Sequence, residues 1–235
     1  GWNKILYADK LEKQLTYLRP RTKKIFDLEK IYEDAIKDLD VASQVKEVKS
    51  VALNAITMME ELPQNKHAKP IKIGLVGEVY TLLEPFSNLN IEKHLGRMGV
   101  EVERSIYISQ WINDHLLGGW MGLKSLSHFK KLARPYLNHF VGGHGRETVG
   151  GVVDFAQKGF DGVIQIGPLT CMPEIVAQSI LPAVSEAYGM PVMTIYLDEQ
   201  SGEAGFVTRL EAFVDMISYK KMINKPKERI QCNFI

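Results

Sequence analysis

The pattern of apolar and polar positions divides this chain into two textures. Through the first seventy residues, apolar side chains recur at helical spacing among charged ones. Ile5, Leu6, Leu11, Leu15 and Leu18 mark one helix, which Arg19-Pro20-Arg21 ends because proline supplies no backbone donor. A second helical stretch runs from about Leu28 to Leu62, with Ile31, Ala35, Leu39, Val45, Val48, Ala52, Ile56 and Met59 on its apolar face. Asp40 or Ser43 is where it would break in two. Pro63 to Pro70 is short, polar and proline-flanked, the composition of a linker.

Beyond Pro70, short β-rich runs alternate with helical ones. The predicted strands are Ile71 to Val76, Val100 to Arg104, Val163 to Ile166 and Pro191 to Leu197. The predicted helices are Asn88 to Met98, Ile108 to Leu117, Lys124 to Phe140, Thr148 to Gln157, Ile175 to Tyr188 and Ala204 to Tyr219. Gly99 and Gly159 stand where C-caps belong. A glycine-rich turn, Gly118 to Gly122, separates the second and third of these helices. Alternation of this kind implies an α/β fold, Rossmann- or flavodoxin-like, with a parallel sheet of about four strands and right-handed crossovers. The expected organisation is a helical segment over 1–65, an α/β domain over 71–222 and a tail over 223–235.

Composition narrows the function classes. With 235 residues, 45% hydrophobic and 24% charged, the chain has the make-up of an ordinary soluble domain. A net charge of +1 gives no field to steer it to nucleic acid or an anionic membrane. Apolar runs stay short of the roughly 18 residues that signal a membrane span. Charged residues recur through the first twenty positions, unlike a secretory signal. Two distant cysteines do not make a disulfide framework, so a reducing, cytoplasmic setting is expected.

Candidate chemistry gathers at the predicted strand ends, which share one edge in a parallel sheet. One loop is Gly77 to Pro85, with Glu78 and Tyr80 as ligand-holding candidates. Another is Gly167-Pro-Leu-Thr-Cys-Met-Pro-Glu174, with Thr170 and Cys171. Asp198 to Gly205 offers the carboxylate pair Asp198 and Glu199, able to bind metal, act as base or cap the next helix. Arg209 could pair with either. The stretch Gly142 to Thr148 carries His144 in a glycine-rich turn, with no second histidine at metal-ligand spacing. Cys171 is the residue to explain. Its place where a strand ends and a helix begins favours a thiolate, the form that binds metal or attacks carbon. Three readings stand for it: a core-filling thiol, a metal ligand, or a nucleophile with His144 as base. Gly74 and Gly77 fit neither the dinucleotide fingerprint nor the lysine-bearing phosphate loop. Cys232, in the lysine-rich tail, is taken as incidental.

Several of these stretches together resemble one family. They are Gly159 to Ile164, Thr170 to Glu174, Ile180-Leu-Pro182, Asp198 to Gly205, Thr208 to Asp215, Gly74 to Tyr80, and Ala8 to Leu11 with Arg19-Pro20. The family is the activase-related branch of the (R)-2-hydroxyacyl-CoA dehydratase superfamily, also described as CoA-substrate-specific enzyme activases. The resemblance implies the C-terminal portion of a longer protein, whose ATP-binding activator domains and N-terminal cluster region lie elsewhere. No activator motif occurs here, so ATPase activity does not carry over. Related dehydratase subunits hold a 4Fe–4S cluster with three cysteines, and the loop of Cys171 matches the C-terminal one. The implied partners are the missing cluster region and the activator ATPase domains, in cis or in trans, with a CoA thioester as a further candidate partner. Glu78, Thr170 and Asp198 would tune the cluster from behind its ligands. The alternative is a non-catalytic domain that docks an activator ATPase or a dehydratase subunit, with Cys171 buried.

Overall fold

The computed structural model describes residues 1–116 and 126–223. The turn expected at Gly118 to Gly122 and the tail with Cys232 lie outside the described residues. The chain opens with three helices, α1 (Trp2–Leu18), α2 (Ile25–Val41) and α3 (Val45–Glu61). The α/β part follows as β1 (Ile71–Gly77), α4 (Val79–Leu83), α5 (Ile91–Arg97), β2 (Val100–Arg104) and α6 (Ile108–His115). It continues with α7 (Ser127–Ala133), α8 (Gly145–Gln157), β3 (Gly162–Pro168), α9 (Met172–Tyr188), β4 (Val192–Leu197) and α10 (Glu203–Ile223).

The four strands form one parallel sheet in the order β2-β1-β3-β4, so the α/β, Rossmann-like architecture holds. Ile73 of β1 faces Val102 of β2 on one side and Gly162 of β3 on the other. Both faces of β1 and β3 are covered, which is why their sequences are apolar runs rather than alternations. On one face Leu82 of α4, Leu95 of α5, and Leu210 and Phe213 of α10 pack against Leu75, Ile164 and Ile195. On the other, Val149 and Phe155 of α8 and Ala177 and Leu181 of α9 pack against Val76 and Val163. Gly74 opens the second layer: a Cβ there would lie 2.3 Å from the Phe155 ring.

Helices α1, α2 and α3 bury a core of their own, built from Leu11, Leu15, Leu28, Leu39, Val48, Ala52 and Met59. Charge joins this bundle to the sheet domain. Glu29 takes Arg19 at 3.1 Å and Arg97 at 2.7 Å, and Arg104 at the end of β2 binds Glu12 of α1 and, at 3.3 Å, Glu92 of α5. Asp9 accepts the backbone N–H of Ser109 at the start of α6, at 3.0 Å. With partners on both sides, these buried charges keep their attraction and avoid the cost of being left alone.

Several boundaries differ from the expected ones, each for a local reason. The stretch Leu28 to Leu62 is two helices, broken at Ala42–Gln44, around Ser43 of the two expected positions rather than Asp40, and Glu47 caps the second by accepting from the Ser43 N–H at 2.9 Å. The expected loop Gly77 to Pro85 contains α4. The helix expected from Asn88 starts at Ile91, after Leu89 and Asn90 take a left-handed turn, and the Ile91 N–H donates to the Asn88 side chain at 3.3 Å. The helix expected to reach Phe140 stops at Ala133, two residues before Pro135. α8 begins three residues earlier than expected, α9 begins at Met172, and α10 extends to Ile223. Among the described residues, no helix is long and apolar enough to cross a membrane.

Candidate functional site

Strand order fixes where a ligand would bind. β1 leads outward to β2, and the chain then crosses back over β1 to β3, so direction reverses between β1 and β3. The loops leaving these two neighbours diverge, and open α/β sheets bind their ligands in that crevice. At its floor the strands are locked. Gly77 has φ +140°, a Cβ there would lie 1.8 Å from the Ile166 carbonyl, and the Glu78 N–H donates to that same carbonyl at 3.0 Å.

From this turn Glu78 caps α4. Its carboxylate accepts the N–H groups of Tyr80 at 3.0 Å and Thr81 at 2.8 Å, and the Thr81 hydroxyl at 2.8 Å. Tyr80 is 64% exposed and is not core. Together with Phe86, Pro168, Asp198 and Glu199, these residues line an open crevice of about 570 Å³. The first and third predicted loops thus meet. Asp198 is occupied locally, accepting from the Gln200 N–H at 3.0 Å and the Ser201 hydroxyl at 2.8 Å. Arg209 does not pair with Asp198 or Glu199; it donates to the Thr194 carbonyl at 3.2 Å.

Thr170 and Cys171 stand beside this crevice rather than among its lining residues. Cys171 is the N-cap of α9, and its carbonyl accepts from Glu174 at 3.1 Å and Ile175 at 3.0 Å. Pro173 occupies the first turn, where a missing N–H costs nothing. Cys171 is partly exposed, and Thr170, Leu169 and Met172 around it are exposed. The expectation of a stabilised thiolate fails. Burial pushes the Cys171 thiol up, the carboxylates of Glu174 and Glu78 push the same way, and the Glu174 backbone N–H offsets only part of this.

The glycine-rich fourth loop also reaches this edge. Pro173 packs on Gly142, Gly143 and Gly145, and a Cβ at Gly145 would lie 2.5 Å from the Pro173 carbonyl. His144 is the N-cap residue of α8, its ring 5.4 Å from that of His115, which stacks on Trp111 at 4.8 Å. Burial holds the His144 pKa below the usual histidine range; Glu147 and Glu78 act against that, and His115 with it. Burial at both groups disfavours the thiolate and the imidazolium that a nucleophile–base pair of Cys171 and His144 would form.

Beneath Cys171 lies a polar network absent from the expected site. Glu174 is 1% exposed, and its two carboxylate oxygens accept from the Thr148 hydroxyl at 2.9 Å and the Gln165 amide at 2.8 Å. Gln165, fully buried in β3, also donates to the Glu174 carbonyl at 3.0 Å and accepts from the Thr194 hydroxyl at 2.8 Å. Burial raises the Glu174 pKa to about 7; Gln165 and Thr148 lower it in part, while Glu78 and Glu147 raise it further. One signal for this network was in the sequence: a glutamine in the middle of an otherwise apolar central strand.

Among the described residues no three histidine, cysteine or acidic side chains gather as a metal-binding set. No protein-family model matches this chain, and no curated protein matches it.

Proposed function

We propose that this chain is the α/β part of a divided iron–sulfur site, to which Cys171 contributes one thiolate ligand. The observation that carries this reading is the setting of Cys171. It is partly open at the carboxyl edge, beside the β1/β3 crevice, with Tyr80 of α4, Phe86, Leu169, and Met172 at the start of α9, exposed around it. Such apolar side chains at a loop edge suit a surface that another surface covers. The resemblance of the Thr170 to Glu174 loop and its companions to the dehydratase and activase family supports the same reading.

The residues present do not complete a cluster. A cubane takes about three or four thiolates, and Cys171 is the free cysteine among the described residues. The remaining ligands would come from a docked segment or subunit. Glu78 and Asp198 already spend their carboxylates on local N–H and hydroxyl donors, so their part is to shape the wall. A thiol with a raised pKa keeps its proton until a metal displaces it, which suits a ligand better than a nucleophile. When bound, such a cluster supplies low-potential electron transfer.

The exposed side chains at this edge also favour a second reading, a docking domain for an activator ATPase or a dehydratase subunit without a cluster. The two separate on iron and acid-labile sulfide in the anaerobically purified protein, together with whatever completes it. Cys171→Ser should lose most of both while keeping its fold. Equal content in parent and variant would overturn the ligand reading and leave the docking one.

A further inference from the structure

A glutamate at the third position of a helix ordinarily turns back toward the N-cap N–H at the surface, where it gains from the helix dipole and stays hydrated. Glu174 holds that position in α9, after the N-cap Cys171. It does otherwise. Its side chain enters the protein, where neutral donors hold both oxygens. Burying a carboxyl in this way is costly unless every bond is made. Here the bonds reach three other elements: Thr148 in α8, Gln165 in β3 and, through Gln165, Thr194 in β4. The Gln165 amide grips both the side chain and the backbone carbonyl of Glu174, so the first turn of α9 is pinned to the central strand. Glu174 also donates its backbone N–H to the Cys171 carbonyl.

We infer that Glu174 is a positioning residue for Cys171, fixing the β3–α9 turn so that the thiol is presented at the carboxyl edge in one orientation. Gln165, Thr148 and Thr194 form the clamp that holds it. The inference rests on Cys171 being the functional group of this edge, as proposed above.

The test is the alkylation of Cys171 by iodoacetamide in a Cys232→Ser background, which leaves a single thiol. The rate is taken on the high-pH plateau, where the thiolate is fully formed and only presentation matters. Two buried hydrogen bonds hold the turn, so Glu174→Leu should raise the plateau rate about ten-fold as the turn opens. Glu174→Gln retains the shape, its oxygen accepting from the Gln165 amide and its nitrogen donating to the Thr148 hydroxyl oxygen, and should stay close to the parent rate. A Leu variant indistinguishable from the parent would overturn the inference, as would a Gln variant that fails to rescue. Should Glu174→Leu not fold, Thr148→Val and Thr194→Val carry the test. Each loosens the clamp from outside the turn, and unchanged rates in both would overturn the inference. Iron is not read in this assay, so failure of the cluster reading and failure of the clamp are distinguishable.

Discussion

Two glycines at the strand ends answer to different constraints. Gly77 combines a positive φ with backbone 1.8 Å from where a Cβ would sit, so neither torsion nor space admits a side chain. Gly77→Ala should cost about 2–4 kcal/mol in urea unfolding, because the only relief is to part β1 from β3. At Gly167 an added Cβ would meet Glu174 and Glu78 side-chain carbons at 3.5 Å, ordinary contact. Gly167→Ala should change stability by less than about 1 kcal/mol in the same measurement. Glu174 makes stability depend on pH. Its pKa rises on folding from 4.5 to about 7, so its contribution is fully present below pH 4.5 and is lost as pH climbs through 7. The loss amounts to up to about 3 kcal/mol. Unfolding free energies measured from pH 4.5 to 8 should show this slope in the parent and not in Glu174→Gln. Of these residues the sequence displayed Cys171 and Glu78 at strand ends. It hid Glu174, because which side chain of a first helical turn faces inward depends on the strand and helix packed beneath it.

At the scale of elements, the join between the helical bundle and the sheet domain rests on arginine–glutamate contacts more than on apolar packing. Arg104 is the centre of one cluster, buried between Glu12 of α1 and Glu92 of α5. Arg104→Ala leaves two carboxylates facing each other without a cation and should destabilise by about 3–5 kcal/mol. Denaturant unfolding measures it. The periodicities showed the strands and the long helices well, since fully buried parallel strands and amphipathic helices write distinct patterns. What they missed was a piece set by one capping side chain. The short α4 exists because Glu78 supplies acceptors to its first turn. A helical period cannot register it, because it rests on one carboxylate accepting from the backbone N–H groups of Tyr80 and Thr81. The α2–α3 break falls at Ser43, one of the two expected positions, where Glu47 reaches back to accept from the Ser43 N–H.

For the whole molecule, alternating strands and helices imply a parallel sheet, yet the order β2-β1-β3-β4 depends on which way each crossover turns. The crevice follows from that order rather than from any motif, and it explains why loops more than a hundred residues apart, around Glu78 and Asp198, line one wall. The candidate residues were therefore legible as strand-end residues, and their grouping was not. Strand order also bears on synthesis. β1 is the first strand of this sheet to be made and sits in its interior, but Ile73 waits for Gly162 on one side. A ribosome adding ~5–20 residues per second takes on the order of ten seconds to cover that gap. For that interval a nascent Ile-Lys-Ile-Gly-Leu-Val segment offers an unpaired backbone edge to the crowded cell, which makes it the stretch a holding chaperone would be expected to grasp.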